Sequence, residues 1–260
     1  GALYRYSRWM NRQHLAQFTF EHDKEGADQI IRNCLAEGKT QIGELEGNEL
    51  LRCYGFNVLP TRLAKTRDEA ADIAEDMDFP VVMKIVSPQI LHKSDAGGVV
   101  VGLENREDVK NAFENIIEGA KKFDPDAVID GVLVQKMAPP GDEVILGVNR
   151  YPVFGPLLMF GFGGVFVEVF QDVAFRLAPI GRNDARRMIR SIKGYKLFTG
   201  FRGRPVADTE ILEKLMKSLS DMVINHPEIQ EMDINPLLVH EKGKGATVAD
   251  CRMILKASDV

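Results

Sequence analysis

A lysine and a histidine near residue 90 are the residues of this chain best suited to chemistry. Lys84 follows the apolar residues 81–83, a pattern that predicts a buried strand. His92 lies in the next loop, ahead of the paired glycines Gly97 and Gly98. A strand lysine can offer its ammonium group to phosphate oxygens, and a histidine in a glycine-flanked loop can move and act as a nucleophile. The pair predicts phosphate chemistry that passes through a phosphohistidine.

Each of these two residues also has an ordinary interpretation. Lys84 alone could be a lysine on an edge strand that faces water, and a lone histidine is usually a surface residue or a hydrogen-bonded core residue. A phosphorylated ring needs an acceptor that orients its second nitrogen, for which Asp95 is one candidate. The combination of the lysine with the loop after it favours the phosphate interpretation.

A second candidate set flanks the Pro-rich turn at residues 138–141. Gln135, Lys136 and Met137 end an apolar run, where backbone N–H and C=O groups can bind an adenine edge while Met137 packs on its face. Glu143 follows the turn, and a carboxylate can accept hydrogen bonds from both hydroxyls of a ribose. The alternative is a Pro-rich hairpin with exposed acidic residues.

Residues 161–164, Gly-Phe-Gly-Gly, form a weaker signal. They lie between two predicted strands, whereas a dinucleotide-binding glycine motif precedes a helix. Arg176 lies in an apolar run and needs an anionic partner. That partner is either a nucleotide, which makes Arg176 a candidate nucleotide-binding residue, or Glu168, which would make a structural ion pair.

Oxygen ligands close to the end of the chain predict a magnesium site. Asn235 and Asp250 lie on neighbouring short strands, and Mg²⁺ takes one or two protein ligands and completes its octahedron with phosphate oxygens and water. Glu231 and Asp233 are candidates for the surrounding shell. An Asn-Pro pair is otherwise an ordinary turn, so each residue alone says little.

The elements that must position these residues are helices and strands in an irregular order. The strands lack the regular βαβ alternation of a doubly wound sheet, which favours α+β layers that hold a ligand between subdomains. Helices are predicted at 24–37, 43–54, 67–78, 106–122, 184–192 and 208–223. Strands are predicted at 81–86, 99–103, 132–137, 143–148, 156–160 and 173–178, with short strands at 234, 237–239 and 247–249.

Composition limits the classes of partner. The net charge is -5 and the basic residues are scattered, which argues against a nucleic-acid partner. The three cysteines have no metal-binding spacing and there is no signal peptide, so a reducing cytoplasm is expected. The apolar runs are too short to span a bilayer, so no membrane partner is expected. Residues 1–20 are aromatic and basic, and predict an arm or a linker from a preceding domain.

Together these residues resemble the ATP-grasp module of the ADP-forming acyl-CoA synthetases, relatives of succinyl-CoA synthetase. The resemblance implies an α+β, ATP-grasp fold in which two α+β subdomains clasp the nucleotide. An N-terminal arm and leading helix would cover 1–40 and the ATP-grasp domain 41–257, with about 60–130 as the first subdomain and the remainder as the second. The most specific segments are 90–99, 154–161, 175–179 and 231–237.

The resemblance also implies roles for the candidate residues. Lys84 would contact ATP phosphates, Gln135 and Met137 would line the adenine, Glu143 would hold the ribose, and Asn235 and Asp250 would bind Mg²⁺. In this family an acyl-CoA is cleaved with phosphate to an acyl phosphate, and a histidine on the CoA-binding part takes the phosphoryl group. A second histidine on the ATP-grasp part passes that group to ADP, and His92 matches it.

The chain contains no Gly-rich CoA-binding unit and no second histidine in a matching motif. The resemblance therefore implies a partner, namely a CoA-binding domain or subunit that carries the other phosphohistidine. One alternative is a regulatory, nucleotide-sensing module fused to a protein lysine acetyltransferase. Another is a carboxylate–amine ligase, which would use Lys84 and Glu143 but has no need of His92.

Overall fold

The computed structural model describes residues 22–90, 93–163 and 172–256. These residues form two compact units, and the chain passes between them twice. The smaller unit is Leu59–Pro139, and the described residues up to Val58 and from Pro140 onward form the larger unit. Each unit is built around one sheet whose strands pair antiparallel.

The helices and strands follow one another in mixed order. In chain order they are α1 (Lys24–Ala36), β1 (Gln41–Ile42), α2 (Glu44–Cys53), β2 (Thr61–Ala64), α3 (Arg67–Asp76), β3 (Val81–Val86), β4 (Val99–Leu103), α4 (Arg106–Phe123), β5 (Gly131–Lys136), β6 (Asp142–Tyr151), β7 (Gly155–Phe162), β8 (Val173–Leu177), α5 (Arg182–Ser191), α6 (Thr209–Asn225), β9 (Ile229–Val239), β10 (Ala246–Val248) and β11 (Cys251–Leu255). Two short 3₁₀ helices, Lys193–Phe198 and Phe201–Gly203, lie between α5 and α6.

The smaller unit has a four-stranded sheet in the order β2-β5-β3-β4. Side chains alternate between the two faces of a strand. Met83, Ile85 and Val134 pack in one core with apolar residues of α3 and α4, so this face of the sheet is covered by the helices. The alternate positions point away from α3 and α4. We call this side the second face of the smaller sheet, and it carries Val82, Lys84, Leu133 and Gln135.

The larger unit has a seven-stranded sheet in the order β1-β11-β9-β6-β7-β8, with β10 added to β9. One face packs in a single core with the apolar residues of α1, α2, α5 and α6. Leu146, Phe160 and Ile234 are fully buried or nearly so in this core. The alternate positions form the second face of the larger sheet, which includes Glu143, Gly147, Asp233, Asn235 and Arg252.

Helices α1, α3, α4 and α6 begin where the sequence supplies a capping side chain, and in α1 Asp23 accepts a hydrogen bond from the Gly26 amide at 2.9 Å. Thr66 accepts a hydrogen bond from the Glu69 amide, Asn105 from Asp108, and Asp208 from Ile211. Each such bond satisfies an amide that has no partner within the helix. These caps set the starts of α1, α3, α4 and α6.

Most of the predicted helices and strands are confirmed, but the C-terminal prediction is wrong in one respect. Residues 234 and 237–239 were predicted as separate short strands, whereas β9 is continuous from Ile229 to Val239. Its pairing with β6 shifts register between Val144 and Leu146, so the sheet continues past Pro236 through an irregularity. Strands β1, β2 and β11 were not predicted. No helix among residues 22–90, 93–163 and 172–256 has the length and apolarity to cross a bilayer.

A buried carboxylate joins α5 to α6. Glu213 is 5% exposed, and its oxygens accept hydrogen bonds from Arg182 Nε at 2.6 Å and from Arg186 Nε at 2.6 Å. Burial tends to raise the pKa of Glu213, but the hydrogen bonds from Arg186 and Arg182 outweigh it, so the pKa lies below the ordinary value. Two arginines of α5 are thus engaged in an ion-pair network with α6.

We expect Glu213→Gln to lower the free energy of unfolding at pH 7 by roughly 2 kcal/mol, the scale of hydrogen bonds to charged groups. Because the folded pKa is depressed, this contribution is present above the unfolded pKa of about 4.3 and is lost as pH falls through the lower folded pKa. Urea unfolding of both proteins at pH 7 and pH 3.5 measures the difference, which should narrow in acid. Glu210→Gln is the control, since Glu210 lies 4.0 Å from Arg182 and is exposed; an equal loss there would contradict the assignment.

Candidate functional site

Two predicted residues lie together on the second face of the smaller sheet. Lys84 in β3 pairs with Leu133 of β5, and Gln135 pairs with Val82 two positions along. Lys84 is 5% exposed and Gln135 is 2% exposed, and Gln135 Nε2 donates to Thr61 Oγ1 at 3.0 Å. A buried ammonium group needs polar or anionic company. This face thus presents a cation and an amide side by side.

Lys136 and Met137 are placed differently from Gln135. The ammonium group of Lys136 donates to the backbone oxygens of Met77 at 2.8 Å and Asp78 at 2.6 Å, just beyond the C-terminus of α3, where helix carbonyls lack partners. The side chain of Lys136 therefore stabilises the end of α3. Met137 is 41% exposed, and its amide donates to Pro80 O at 3.2 Å. Of these two residues, it is Met137 whose side chain is open to a ligand.

His92 itself lies outside the described residues, but the residues on both sides of it are described. Ile90 and Ala96 are buried in the core of the smaller unit. Gly98 donates to Lys93 O at 2.7 Å, and Ile85 donates to Gly98 O at 2.7 Å. A Cβ atom on Gly98 would lie 2.4 Å from Ile85 Cγ2, so a glycine is required there. The loop that contains His92 thus begins and ends against β3, the strand that carries Lys84.

The two predicted magnesium ligands are neighbours in the larger unit. The amide of Asn235 donates to Asp250 O at 3.1 Å, and Ala249 donates to Pro236 O at 3.0 Å. Asn235 is exposed and Asp250 is half-buried, so both can be reached from solvent. Within the described part of the chain no group of three or more His, Cys, Asp or Glu residues could hold a metal ion. One amide and one carboxylate fit Mg²⁺, which can take one or two protein ligands together with substrate phosphates.

Glu143 shares the second face of the larger sheet with Asn235. It pairs with Leu238 of β9, its side chain is exposed, and its carbonyl accepts from Gly163 at 2.8 Å. The ribose candidate Glu143 and the metal candidate Asn235 therefore lie on one face of the same sheet. Gly163 is the last described residue of the segment 161–164, and residues 164–171 lie outside the described residues.

Asp233 and Arg252 form a further pair on this face. They are directly opposite in β9 and β11. Burial raises the pKa of Asp233 and the charge of Arg252 lowers it, with burial the larger cause. Arg252 was not among the predicted site residues. The sequence does contain a pattern that could have indicated it: Arg252 lies between Cys251 and Met253, which are both buried, so its side chain points to the opposite face of β11.

Arg176 is not brought to the face of Glu143 and Asn235. It pairs with Leu158 of β7, a core residue, so its side chain lies on the helix-covered face. Its Nη1 lies 3.6 Å from Asp184 Oδ1 of α5. Among the described residues its Nε has no hydrogen-bond partner, and Glu168 lies outside them. The observed anionic partner of Arg176 is therefore Asp184, and the geometry does not support contact with a nucleotide.

Two antiparallel sheets, each with one helix-covered face and polar candidate residues on the other, define an ATP-grasp type of architecture. A family model described as an ATP-grasp domain matches residues 33–255. The chain belongs to this family, and the predicted fold class is confirmed.

Comparisons with known proteins narrow the class. The chain is similar to the beta subunit of an ADP-forming acetate–CoA ligase II of Pyrococcus furiosus, with 47% identity over 234 residues that cover 90% of this chain and 99% of that subunit. It is also similar to the ADP-forming 4-hydroxybutyrate–CoA ligase of Nitrosopumilus maritimus, with 43% identity over 97% of this chain but 36% of that longer protein.

Solved structures of similar proteins have the same fold as this chain. The dinucleotide-forming acetyl-coenzyme A synthetase 1 of Ca. Korarchaeum cryptofilum, in complex with coenzyme A and Ca-AMPCP, matches with a TM-score of 0.84 and 44% identity, covering 88% of this chain and 100% of that one. The same protein with coenzyme A and Mg-AMPPCP, its phosphohistidine segment pointing towards the nucleotide binding site, matches with a TM-score of 0.76 and 41% identity over the same shares.

These similarities confirm the resemblance to the ADP-forming acyl-CoA synthetases. The relatives are ligases that occur either as separate beta subunits or as longer single chains, so the chain corresponds to one part of a larger enzyme. They give no support to a fused acetyltransferase, and the ligase interpretation is preferred to a regulatory module.

Proposed function

We propose that this chain is the ATP/ADP-binding, phosphohistidine-carrying part of an ADP-forming acyl-CoA synthetase. The whole enzyme would convert an acyl-CoA, ADP and phosphate reversibly into the acid, CoA and ATP. The observation that carries the proposal is the 47% identity over 99% of the Pyrococcus furiosus beta subunit. The phosphohistidine segment and the Mg-bound nucleotide analogue of the Korarchaeum protein support the role of His92 and of Mg²⁺.

The proposal requires a partner that supplies the CoA chemistry. That partner is a CoA-binding domain or subunit that cleaves the acyl-CoA with phosphate and carries the first phosphohistidine. The compartment proposed is the cytoplasm, since Cys34, Cys53 and Cys251 are not in disulfides and thiols stay reduced in such a compartment.

The proposed transfer has two steps at His92. In the first, an unprotonated ring nitrogen of His92 attacks the phosphorus held on the partner's histidine, the new N–P bond forms, and the partner's imidazole leaves with its electron pair. In the second, a β-phosphate oxygen of ADP attacks the phosphorus on His92, the N–P bond breaks, and ATP forms. Both steps depend on in-line positioning and charge neutralisation more than on further covalent assistance.

The other residues would bind and neutralise the nucleotide. Lys84 supplies a positive charge for the phosphate oxygens, and Asn235 and Asp250 would hold Mg²⁺. When bound, Mg²⁺ supplies further charge neutralisation at the phosphates. Met137 offers an apolar surface to the adenine, and Glu143 offers acceptors to the ribose hydroxyls.

Gln135 lies on the same face as Lys84, and its proposed role is to line the adenine. Lys136 would contribute through its backbone, because its ammonium group stabilises the end of α3. Arg176 would act indirectly by joining β8 to α5 through Asp184.

The test is a labelling reaction on the full chain. With Mg²⁺ and ATP labelled in the γ-phosphate, the chain should acquire phosphate that is labile in acid and stable in alkali, as phosphohistidine is. Addition of ADP to the labelled chain should release the label as ATP, and removal of Mg²⁺ with EDTA should prevent labelling. A chain that binds nucleotide but acquires no such label would contradict the proposal.

A further inference from the structure

The two connections between the units are both attached to one hairpin of the larger unit. The chain leaves the larger unit after Val58 and re-enters it at Pro140. The hairpin consists of β9, β10 and the turn between them; His240 follows β9 and Thr247 lies in β10. Both side chains are buried, with His240 7% exposed and Thr247 2% exposed, although imidazole and hydroxyl groups are polar and need partners there.

A chain of three hydrogen bonds runs from one connection to the other. Asn57 Nδ2 donates to Thr247 Oγ1 at 2.9 Å, Thr247 Oγ1 lies 2.8 Å from His240 Nε2, and His240 Nδ1 lies 3.1 Å from Pro140 O. A carbonyl oxygen only accepts, so Nδ1 carries a proton and donates to Pro140. In the neutral ring Nε2 then accepts from the threonine hydroxyl, which in turn accepts from Asn57.

Backbone contacts hold the same two connections against the hairpin. Val248 donates to Asn57 O at 2.9 Å, and Val58 forms a β-bridge with Val248. On the returning side, a Cβ atom on Gly141 would lie 2.8 Å from Val239 O and 3.1 Å from His240 Nδ1. Gly141 therefore packs directly against the start of the hairpin, and no other residue type fits without displacement.

The returning connection separates the proposed adenine and ribose contacts. Met137 precedes Pro140 by three positions, and Glu143 follows it by three. The hydrogen bond from His240 thus fixes the backbone midway between these contacts. Because binding groups must be held close to their productive geometry, a shift of this carbonyl would misplace both groups relative to one nucleotide.

We infer that His240 and Thr247 are positioning residues for nucleotide binding, acting through the Pro140 carbonyl. The inference rests on the proposed nucleotide site, but it adds a function for a hydrogen-bonded network that none of the proposed ligand contacts includes. Neither residue touches the nucleotide in this scheme.

Thr247→Val tests the inference on the full chain. Valine keeps the β-branched shape that suits a strand but removes the hydroxyl, whereas Thr247→Ser keeps the hydroxyl. Loss of one hydrogen bond corresponds to about a fivefold change, so we expect the valine variant to raise the Kd for Mg-ADP in calorimetry about fivefold. The serine variant should bind like the wild type.

A second control separates positioning from general stability. Lys244→Ala alters the exposed tip of the same hairpin, where the Lys244 ammonium group pairs with Glu241, and should leave the Kd unchanged. In the labelling reaction, Thr247→Val should raise the ATP concentration that gives half the maximal rate and leave the maximal rate unaltered. A lower melting temperature for Thr247→Val with a wild-type Kd would overturn the inference, as would a wild-type chain that binds no nucleotide. If the wild type binds ADP, Thr247→Val weakens it and no phosphohistidine forms, the inference stands and the proposed function fails.

Discussion

Replacing His92 with alanine should abolish the acid-labile label that the wild-type chain acquires from Mg-ATP. The N–P bond requires a ring nitrogen, and removal of a covalent nucleophile typically lowers the rate by a factor of about 1000 or more. The Kd for ADP should change little, because the histidine accepts a phosphoryl group and does not anchor the base or the ribose. The label and the Kd can be measured on the same preparation, by acid and alkali stability and by calorimetry.

Ser94→Ala is the matched control for His92→Ala. Ser94 is exposed in the same loop and carries the hydroxyl nearest to His92 in sequence that could accept phosphate. Since Ile90 and Ala96 on either side are buried in the core, neither substitution removes the contacts that hold the ends of this loop. Full labelling of His92→Ala, or loss of the label in Ser94→Ala, would assign the phosphate to another residue.

Strand assignment from sequence succeeded for β3 and β5, but the faces of these strands could not be predicted. Residues 81–86 and 131–136 are apolar at most positions on both faces, so a period of two is not visible in them. Only the register, in which Lys84 pairs with Leu133 and Val82 with Gln135, shows that Lys84 and Gln135 share a face. A strand buried on both sides does not reveal its orientation through hydrophobicity.

Arg176 shows the opposite difficulty. Its neighbours Phe175 and Leu177 are 55% and 41% exposed, whereas the arginine lies on the helix-covered face beside Asp184. A sequence pattern predicts that apolar residues turn inward and the charged residue turns outward. Here α5 supplies the carboxylate that permits the reverse, and that partner cannot be identified from the local sequence.

The pairing of Asn235 with Asp250 was more accessible to prediction than the network around His240. Two oxygen ligands close to short C-terminal strands suggested neighbouring positions, and the hydrogen bond between their backbones confirms that adjacency. By contrast, His240 reaches a carbonyl 100 positions away, and Thr247 reaches a side chain 190 positions away. Such contacts depend on how the whole larger unit folds, which local pattern does not encode.

Lys84→Met should lower the rate at which the labelled chain transfers its phosphate to ADP by about 100-fold, the scale for removing one donor from developing phosphate charge. Methionine matches the length of lysine and suits a strand position that is 5% exposed. Because a buried charge is replaced by an apolar group, the effect of this substitution on stability is measured separately from its effect on the rate. Rapid quenching of the labelled chain with ADP measures the transfer rate, and thermal unfolding measures the stability.

Lys136→Met is the control for Lys84→Met. It shows whether a loss of transfer rate is specific to Lys84 or follows the removal of a lysine from a neighbouring strand of the same sheet. The ammonium group of Lys136 serves the carbonyls of Met77 and Asp78, so its removal should lower the melting temperature while the transfer rate stays within about threefold of the wild type. Lys84→Arg keeps the charge but replaces a compact ammonium with a planar group, and should recover only part of the rate. If Lys84→Met instead transfers phosphate as fast as the wild type, then the buried ammonium group is a structural element of the sheet, and the charge at the phosphates must come from elsewhere.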